Sequence, residues 1–328
     1  MRPTIGAAAL GIPMVKNAQF GRFMAWQKRM RANPLIARAL TGAQYLLLIL
    51  VLIYLVVRFA QVGWADVMNN LPQSVWFYVF FALRFLALPL SELFIYQMIW
   101  DVPLGRHWPA FLRKRVYNFA VMGYSGEGFL TLWARRKLPL DDKAVVVGVK
   151  DNNLLSALAS NLATVFMIIG LVWAGKLAMG LSALPGGGGV LFVLAFTSSL
   201  VLSITVIVLH RRLIALPYEK LCPVFAIHGA RTVLILVLHA AMYAAALPGA
   251  PLSAWLMFLA LQLVLSRIPF IPNQDLVFLG AALSLAPLVN ASEAALAGTL
   301  LAEAGLSQLI NFVLFFATAH VARLGKSV

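Results

Sequence analysis

Acidic side chains are scarce in this sequence: 11 aspartates and glutamates stand against 26 lysines and arginines in 328 residues. Only 11% of the chain is charged and 62% is hydrophobic, with a mean hydropathy of +0.89. That balance excludes a disordered chain and an ordinary soluble domain. A single cysteine, Cys222, excludes an intramolecular disulfide framework. The five histidines, at 107, 210, 228, 239 and 320, show no metal-ligand spacing, and HExxH is missing. The four glycines at 186–189 lack the Lys-Ser/Thr of a phosphate loop. Gly123-Tyr124-Ser125-Gly126-Glu127 approaches the nucleophile elbow G-x-S-x-G, but Glu stands in the last glycine's place and no strand precedes it. No motif calls for a cofactor, a metal or ATP, no nucleic-acid motif occurs, and no convincing catalytic set stands out.

Long apolar runs are what the sequence does have. They cover residues 41–62, 74–100, 153–175, 189–210, 232–247, 253–271, 276–289 and 294–321. About 20 residues at 1.5 Å each cross a hydrocarbon core of about 30 Å. The seventh run follows the break Pro272-Asn273-Gln274-Asp275 and is short for a full crossing. Basic residues fill every second gap between the runs. The arm before the first carries Arg2, Lys16, Arg22, Lys28, Arg29, Arg31 and Arg38. Between the second and third lie nine, from Arg106 to Lys150, and between the fourth and fifth lie Arg211, Arg212, Lys220 and Arg231. The alternate gaps hold only Lys176. This asymmetry predicts an all-α polytopic membrane protein of about eight segments with both termini cytoplasmic. It divides into a basic arm over 1–40, one transmembrane domain over 41–323 and a tail over 324–328. Within the arm, residues 17–31 place Phe20, Phe23, Met24 and Trp26 among basic residues, as an amphipathic helix on the membrane surface would. The net charge of +15 then reflects orientation and anionic lipid rather than nucleic acid.

Two stretches fit neither a plain span nor a plain loop. Residues 113–132, RKRVYNFAVMGYSGEGFLTL, are too polar for a simple span and too apolar for a solvated loop. Residues 265–276, LSRIPFIPNQDL, split one apolar region in two. Each is a candidate re-entrant region (113–132 and 265–289), the alternative being an interfacial loop punctuated by Gly and Pro. Lys150-Asp151-Asn152 leads into a helical stripe of Asn153, Ser156, Ala157, Ser160 and Asn161, suited to close helix contact or a hydrated path. Arg84 and Glu92 lie eight residues apart around Pro89, so they share a helix face and must meet protein, water or each other.

The stretch RVYNFAVMGYSGEGFLTLWARRKL resembles the first signature of the lysylphosphatidylglycerol synthase transmembrane (flippase-like) family. Asn118, Gly126, Glu127, Arg135 and Arg136 would take that signature's roles. IPFIPNQDLVFLGAAL resembles the second, with Pro272-Asn273-Gln274 in place of the usual Pro-Gly-Gly and Asp275 in place of a slightly later Glu. The resemblance implies a flippase-like membrane domain without the synthases' soluble domain, placed in the bacterial inner membrane. Its partners would be anionic membrane lipids, with a membrane-protein partner or a second copy also open. Asn118, Glu127, Asp151, Asn152, Arg267, Asn273 and Asp275 would solvate a headgroup, and Arg135 and Arg136 would meet phosphate at the rim. A lipid-modifying enzyme and an assembly or anchoring subunit remain as alternatives.

Overall fold

The computed structural model describes residues 53, 57, 64–120, 124–183, 188–267 and 274–322. The arm 1–40, nearly all of the first apolar run, Pro272-Asn273 and the tail lie outside the described residues. Among the described residues every regular element is helical. The chain runs through α1 (Trp64–Asn69), α2 (Val75–Trp100), a 3-10 turn at Gly105–His107, α3 (Trp108–Ala120) and α4 (Ser125–Lys137). It continues with α5 (Asp142–Trp173), α6 (Leu177–Ala183), α7 (Gly188–Val208), α8 (His210–Leu213) and α9 (Tyr218–Ala246). Then come α10 (Leu252–Leu265), α11 (Gln274–Leu283), a 3-10 turn at Ala286–Leu288, α12 (Glu293–Ala317) and α13 (Ala319–Ala322).

Five of these helices, α2, α5, α7, α9 and α12, are long and apolar enough to cross a membrane. Between 17% and 44% of the most apolar stretch of each is buried inside the protein. The remainder faces outward, with Trp76, Phe94, Phe166, Trp173, Val193 and Phe312 among the exposed side chains. Surface of this kind aggregates in water and is at rest in lipid tails.

The long helices start where local chemistry lets them. Asp141 caps α5 by accepting from Ala144 N at 2.5 Å, and Ser292 caps α12 through Ala295 N at 3.2 Å. α2 runs through Pro89 and ends at Asp101, whose φ of 52° is the left-handed stop common after helices. α9 packs along α2 in the most extensive contact of the fold, and α5 packs against both α7 and α9. α3 and α4 form an antiparallel pair set against α2, α5 and α12. Where α2 meets α5, Gly148 has Trp100 Nε1 2.4 Å from where a Cβ would sit, so only glycine allows this crossing.

Two apolar cores result. One gathers Phe77, Phe81, Tyr243, Trp255, Phe258 and Phe278 from α2, α9, α10 and α11. The other gathers Tyr96, Trp100, Phe111, Leu130 and Trp133 from α2, α3 and α4. Both are built around aromatic rings, which bring large contact area at low conformational cost.

The run 74–100 matches α2 closely. Other boundaries differ from the hydropathy reading: α5 begins at Asp142 rather than 153, and α9 at Tyr218 rather than 232. α10 ends at Leu265, short of 271. The run 276–289 falls on α11 followed by a 3-10 turn. For α5 and α9 the cause is the same. Hydropathy stops at each cluster of lysine, arginine or polar residues, whereas a helix continues through them when its charges find partners or project beyond the core. At 32 residues α5 is about 48 Å long, more than a hydrocarbon core is thick. Residues 113–132 form the α3–α4 pair, helices of 13 residues each, with the turn between them partly outside the described residues.

Candidate functional site

Arg113, Lys114 and Arg115 are consecutive on α3, and a turn of about 100° per residue sends each in a different direction. Arg113 donates to the Phe315 carbonyl of α12 and lies over the Tyr117 and Phe315 rings at 4.7 and 4.3 Å. Arg115 lies over the Phe85 ring of α2 at 3.9 Å. Lys114 is 1% exposed and points into the protein. Its ammonium meets Glu92 of α2 at 2.5 Å and Glu127 of α4 at 3.1 Å, 5.7 Å from the centroid of the Tyr96 ring. Three helices are tied at this one charge.

The Asn-Gly-Glu segment explains how α4 comes so close. Asn118 accepts from Gly126 N at 2.7 Å through Oδ1 and donates to Glu127 Oε1 at 3.3 Å through Nδ2. Ser125 donates to the Tyr117 carbonyl at 2.6 Å. A Cβ on Gly126 would lie 2.1 Å from Lys114 O and 2.8 Å from Asn118 Oδ1, so no other residue fits here. Tyr124, just ahead of α4, takes φ 70°, a conformation that a bulky side chain adopts only when its surroundings enforce it. Gly126→Ala is expected to pry α4 from α3 and cost about 1–3 kcal/mol. A lower thermal unfolding midpoint in detergent than that of wild type would register this. An equal midpoint would show that the two helices separate freely.

A second row of polar contacts runs along α5. Tyr96 Oη accepts from Asn152 Nδ2 at 3.1 Å, and Asn152 Oδ1 accepts from His228 Nε2 of α9 at 3.1 Å. One turn on, Arg231 of α9 donates to Ser156 Oγ at 3.0 Å. Beyond that, Arg267, just past α10, donates to Asn161 Oδ1 at 2.7 Å and to Ser160 Oγ. The stripe Asn153, Ser156, Ser160 and Asn161 thus serves partly as the seat of two arginines. Four atoms in these rows, Glu127 Oε2, His228 Nδ1, Arg231 Nη1 and Arg267 Nε, are buried without a hydrogen-bond partner among the described residues. Native interiors rarely leave such groups unmatched.

A third cluster lies between α2, α9 and α12. Arg84 donates to Glu303 Oε1 at 2.6 Å, His239 Nε2 meets the same oxygen at 3.0 Å, and Tyr243 donates to Glu303 Oε2 at 2.7 Å. With Nε2–H donating to the carboxylate, His239 Nδ1 is left to accept from Arg84 Nη1 at 3.1 Å. A cavity of about 180 Å³ opens beside this cluster, lined by Arg84, Arg115, Gln262, Glu303, Ser307 and Asn311 along with apolar groups.

The structure therefore brings Asn118, Glu127, Asn152 and Arg267 to the helical interior. Asp151 serves differently: its Oδ2 accepts from Ala215 N and Leu216 N at 2.8 and 3.0 Å, and Lys150 pairs with it at 2.9 Å. It fastens the segment leading into α9. Arg135 pairs with Asp142 at the exposed surface, and Arg136 is exposed. Asn273 and the side chain of Asp275 lie outside the described residues. Arg84 and Glu92 each meet a partner on another helix rather than each other. His239, buried within α9, is a hydrogen-bonded packing residue between Arg84 and Glu303. Glu303 escaped the sequence reading, although a lone carboxylate in an apolar run is itself a signal. Lys114 and Arg231 fall in basic gaps between apolar runs yet are buried, and hydropathy, which carries no information about pairing, does not set them apart from solvated loop charges.

Comparison of the chain with protein-family models, with curated proteins and with solved structures finds no match.

Proposed function

We propose that this protein binds the polar headgroup of a lipid or lipid-linked substrate among its helices and carries it between the leaflets of the bacterial inner membrane. Both termini then lie on the cytoplasmic side, in keeping with the basic gaps in the sequence. The observation that carries the reading is an inversion of ordinary protein polarity. Large apolar side chains cover the outside, while Arg84, Glu92, Lys114, Glu127, Arg231, Arg267 and Glu303 occupy the interior. Each charge held at the depth of a membrane costs about 2.5–3.5 kcal/mol on insertion scales. Helix packing alone needs none of them. A headgroup crossing the hydrocarbon core does need them, since its lost water must be replaced by fixed polar groups.

Glu127 sits where this need is sharpest. One of its oxygens is held by Lys114 and Asn118, and the other is buried with no hydrogen-bond partner among the described residues. The likeness of residues 115–138 to a flippase-like signature supports the same reading, because its Asn, Gly and Glu are the residues that build this contact. The test is a leaflet-translocation assay in proteoliposomes containing headgroup-labelled anionic and zwitterionic lipids. Label is expected to cross faster than in protein-free vesicles, and Glu127→Gln is expected to slow that crossing. Crossing no faster than in protein-free vesicles would end the proposal.

A further inference from the structure

Arg231 and Arg267 are held in an unusual way for arginines inside a helical membrane domain. Arg231 is 8% exposed, and its only hydrogen-bond partner among the described residues is the neutral hydroxyl of Ser156. Arg267 is held by the neutral side chains of Asn161 and Ser160. Among the described residues neither guanidinium forms an ion pair with a carboxylate, in contrast to Arg84 and Lys114. Glu92 is the carboxylate whose field reaches Arg231, and it is already bonded to Lys114. Among the described residues each arginine also keeps a buried N–H without a hydrogen-bond partner, Nη1 in one and Nε in the other.

Serine and asparagine oxygens orient a guanidinium without neutralising it. Their seats are adjacent on α5: Ser156 and Ser160 are four residues apart, so the two arginines approach the same face one helical turn from each other. Among the described residues the charged groups of this network are Lys114, Arg231 and Arg267 against Glu92 and Glu127. One positive charge is left over. Planar guanidinium forks with donors to spare are suited to phosphate oxygens, where charge-assisted bonds are strongest.

We propose that Arg231 and Arg267 form a phosphate site that takes the single negative charge of a phosphodiester, the linkage shared by glycerophospholipid headgroups. Assigning a lipid as the source rests on the lipid-handling function proposed above; the site itself rests on the two arginines. It narrows the substrate to phosphate-bearing amphiphiles and places their phosphate against α5, within the same network as Glu127.

Binding to purified full-length protein in a neutral detergent tests this, with three probes: short-chain phosphatidylglycerol, the matching diacylglycerol and inorganic phosphate. Wild type is expected to bind the phospholipid and not the diacylglycerol. Arg231→Gln and Arg267→Gln are each expected to weaken that binding about tenfold or more, the worth of one charge-assisted hydrogen bond. Without ligand, both variants are expected to melt at or above the wild-type temperature, because an uncompensated buried charge has been removed. A merely structural arginine would instead lower the melting temperature. Phosphatidylglycerol binding no tighter than diacylglycerol, or binding unchanged in both variants, overturns the site. Inorganic phosphate bound with the same arginine dependence, and as tightly as the lipid, supports the site and assigns its source to free phosphate. Arginine-dependent lipid binding without translocation leaves the site standing and removes the flippase reading. Translocation undiminished in both variants does the reverse.

Discussion

Replacing Lys114 with methionine is expected to lower stability by about 3–5 kcal/mol, the usual cost of removing one partner from a buried ion pair. Methionine keeps the unbranched stem and is one heavy atom shorter, so most of the loss reports the charge. The lysine side chain is 2% exposed, and its ammonium stands between two carboxylates, Glu92 at 11% and Glu127 at 14% side-chain exposure. Without it, both carboxylates are left facing each other's field in a place water scarcely reaches. The contact also ties α3 to α2 and α4 at once, so the damage spreads to the whole α3–α4 pair. Thermal unfolding in detergent should show a large fall in midpoint. The triple variant Lys114→Met with Glu92→Gln and Glu127→Gln should regain most of it, since two neutral amides replace the stranded charges. Equal midpoints for Lys114→Met and wild type would mean that the carboxylates are solvated or protonated, and that this ion triad does not hold the helices.

The second large effect is expected at Arg84. Arg84→Leu leaves Glu303 with His239 and Tyr243 alone and removes the cation that faces its carboxylate at 2.6 Å. The expected loss is about 3 kcal/mol or more. Glu303→Leu alone should cost a similar amount, by stranding Arg84. Together the two should cost far less than their sum, because a buried pair exchanged for apolar side chains is often neutral or stabilising. A double-mutant cycle on unfolding midpoints measures the coupling, and a value near zero would show that the two groups do not act as a pair. The doubly apolar variant also separates two roles. If the cluster serves only to hold α2, α9 and α12 together, translocation survives the exchange.

Much of the architecture is legible in the chain. The apolar runs mark the five long helices because a membrane span must be apolar along its length. The glycines around Ser125 and Glu127, next to Asn118, signal a tight polar turn. The structure turns that signal into a specific contact: Gly126 is the one position where the backbone of α4 can lie on Lys114 O, and Asn118 closes it with both ends of its amide. Asp151 shows the opposite case. It is adjacent to Asn152 in sequence, yet the helix turn sends it to the backbone at Ala215 and Leu216, away from the network that Asn152 joins.

Composition and periodicity by themselves determined that this is a helical membrane protein, and where its apolar helices lie, because both properties are local: each residue's hydropathy acts on its own turn of helix. Tertiary structure alone decided which charges are buried and with whom. Glu92 finds Lys114 across 22 residues, Arg84 finds His239 across 155 and Glu303 across 219. A lysine counted as a loop charge becomes the centre of the α3–α4 site, and a glutamate hidden in an apolar run becomes the anchor of α12. Burial of a charge depends on the partner that offsets its lost hydration, and packing, not sequence distance, supplies that partner.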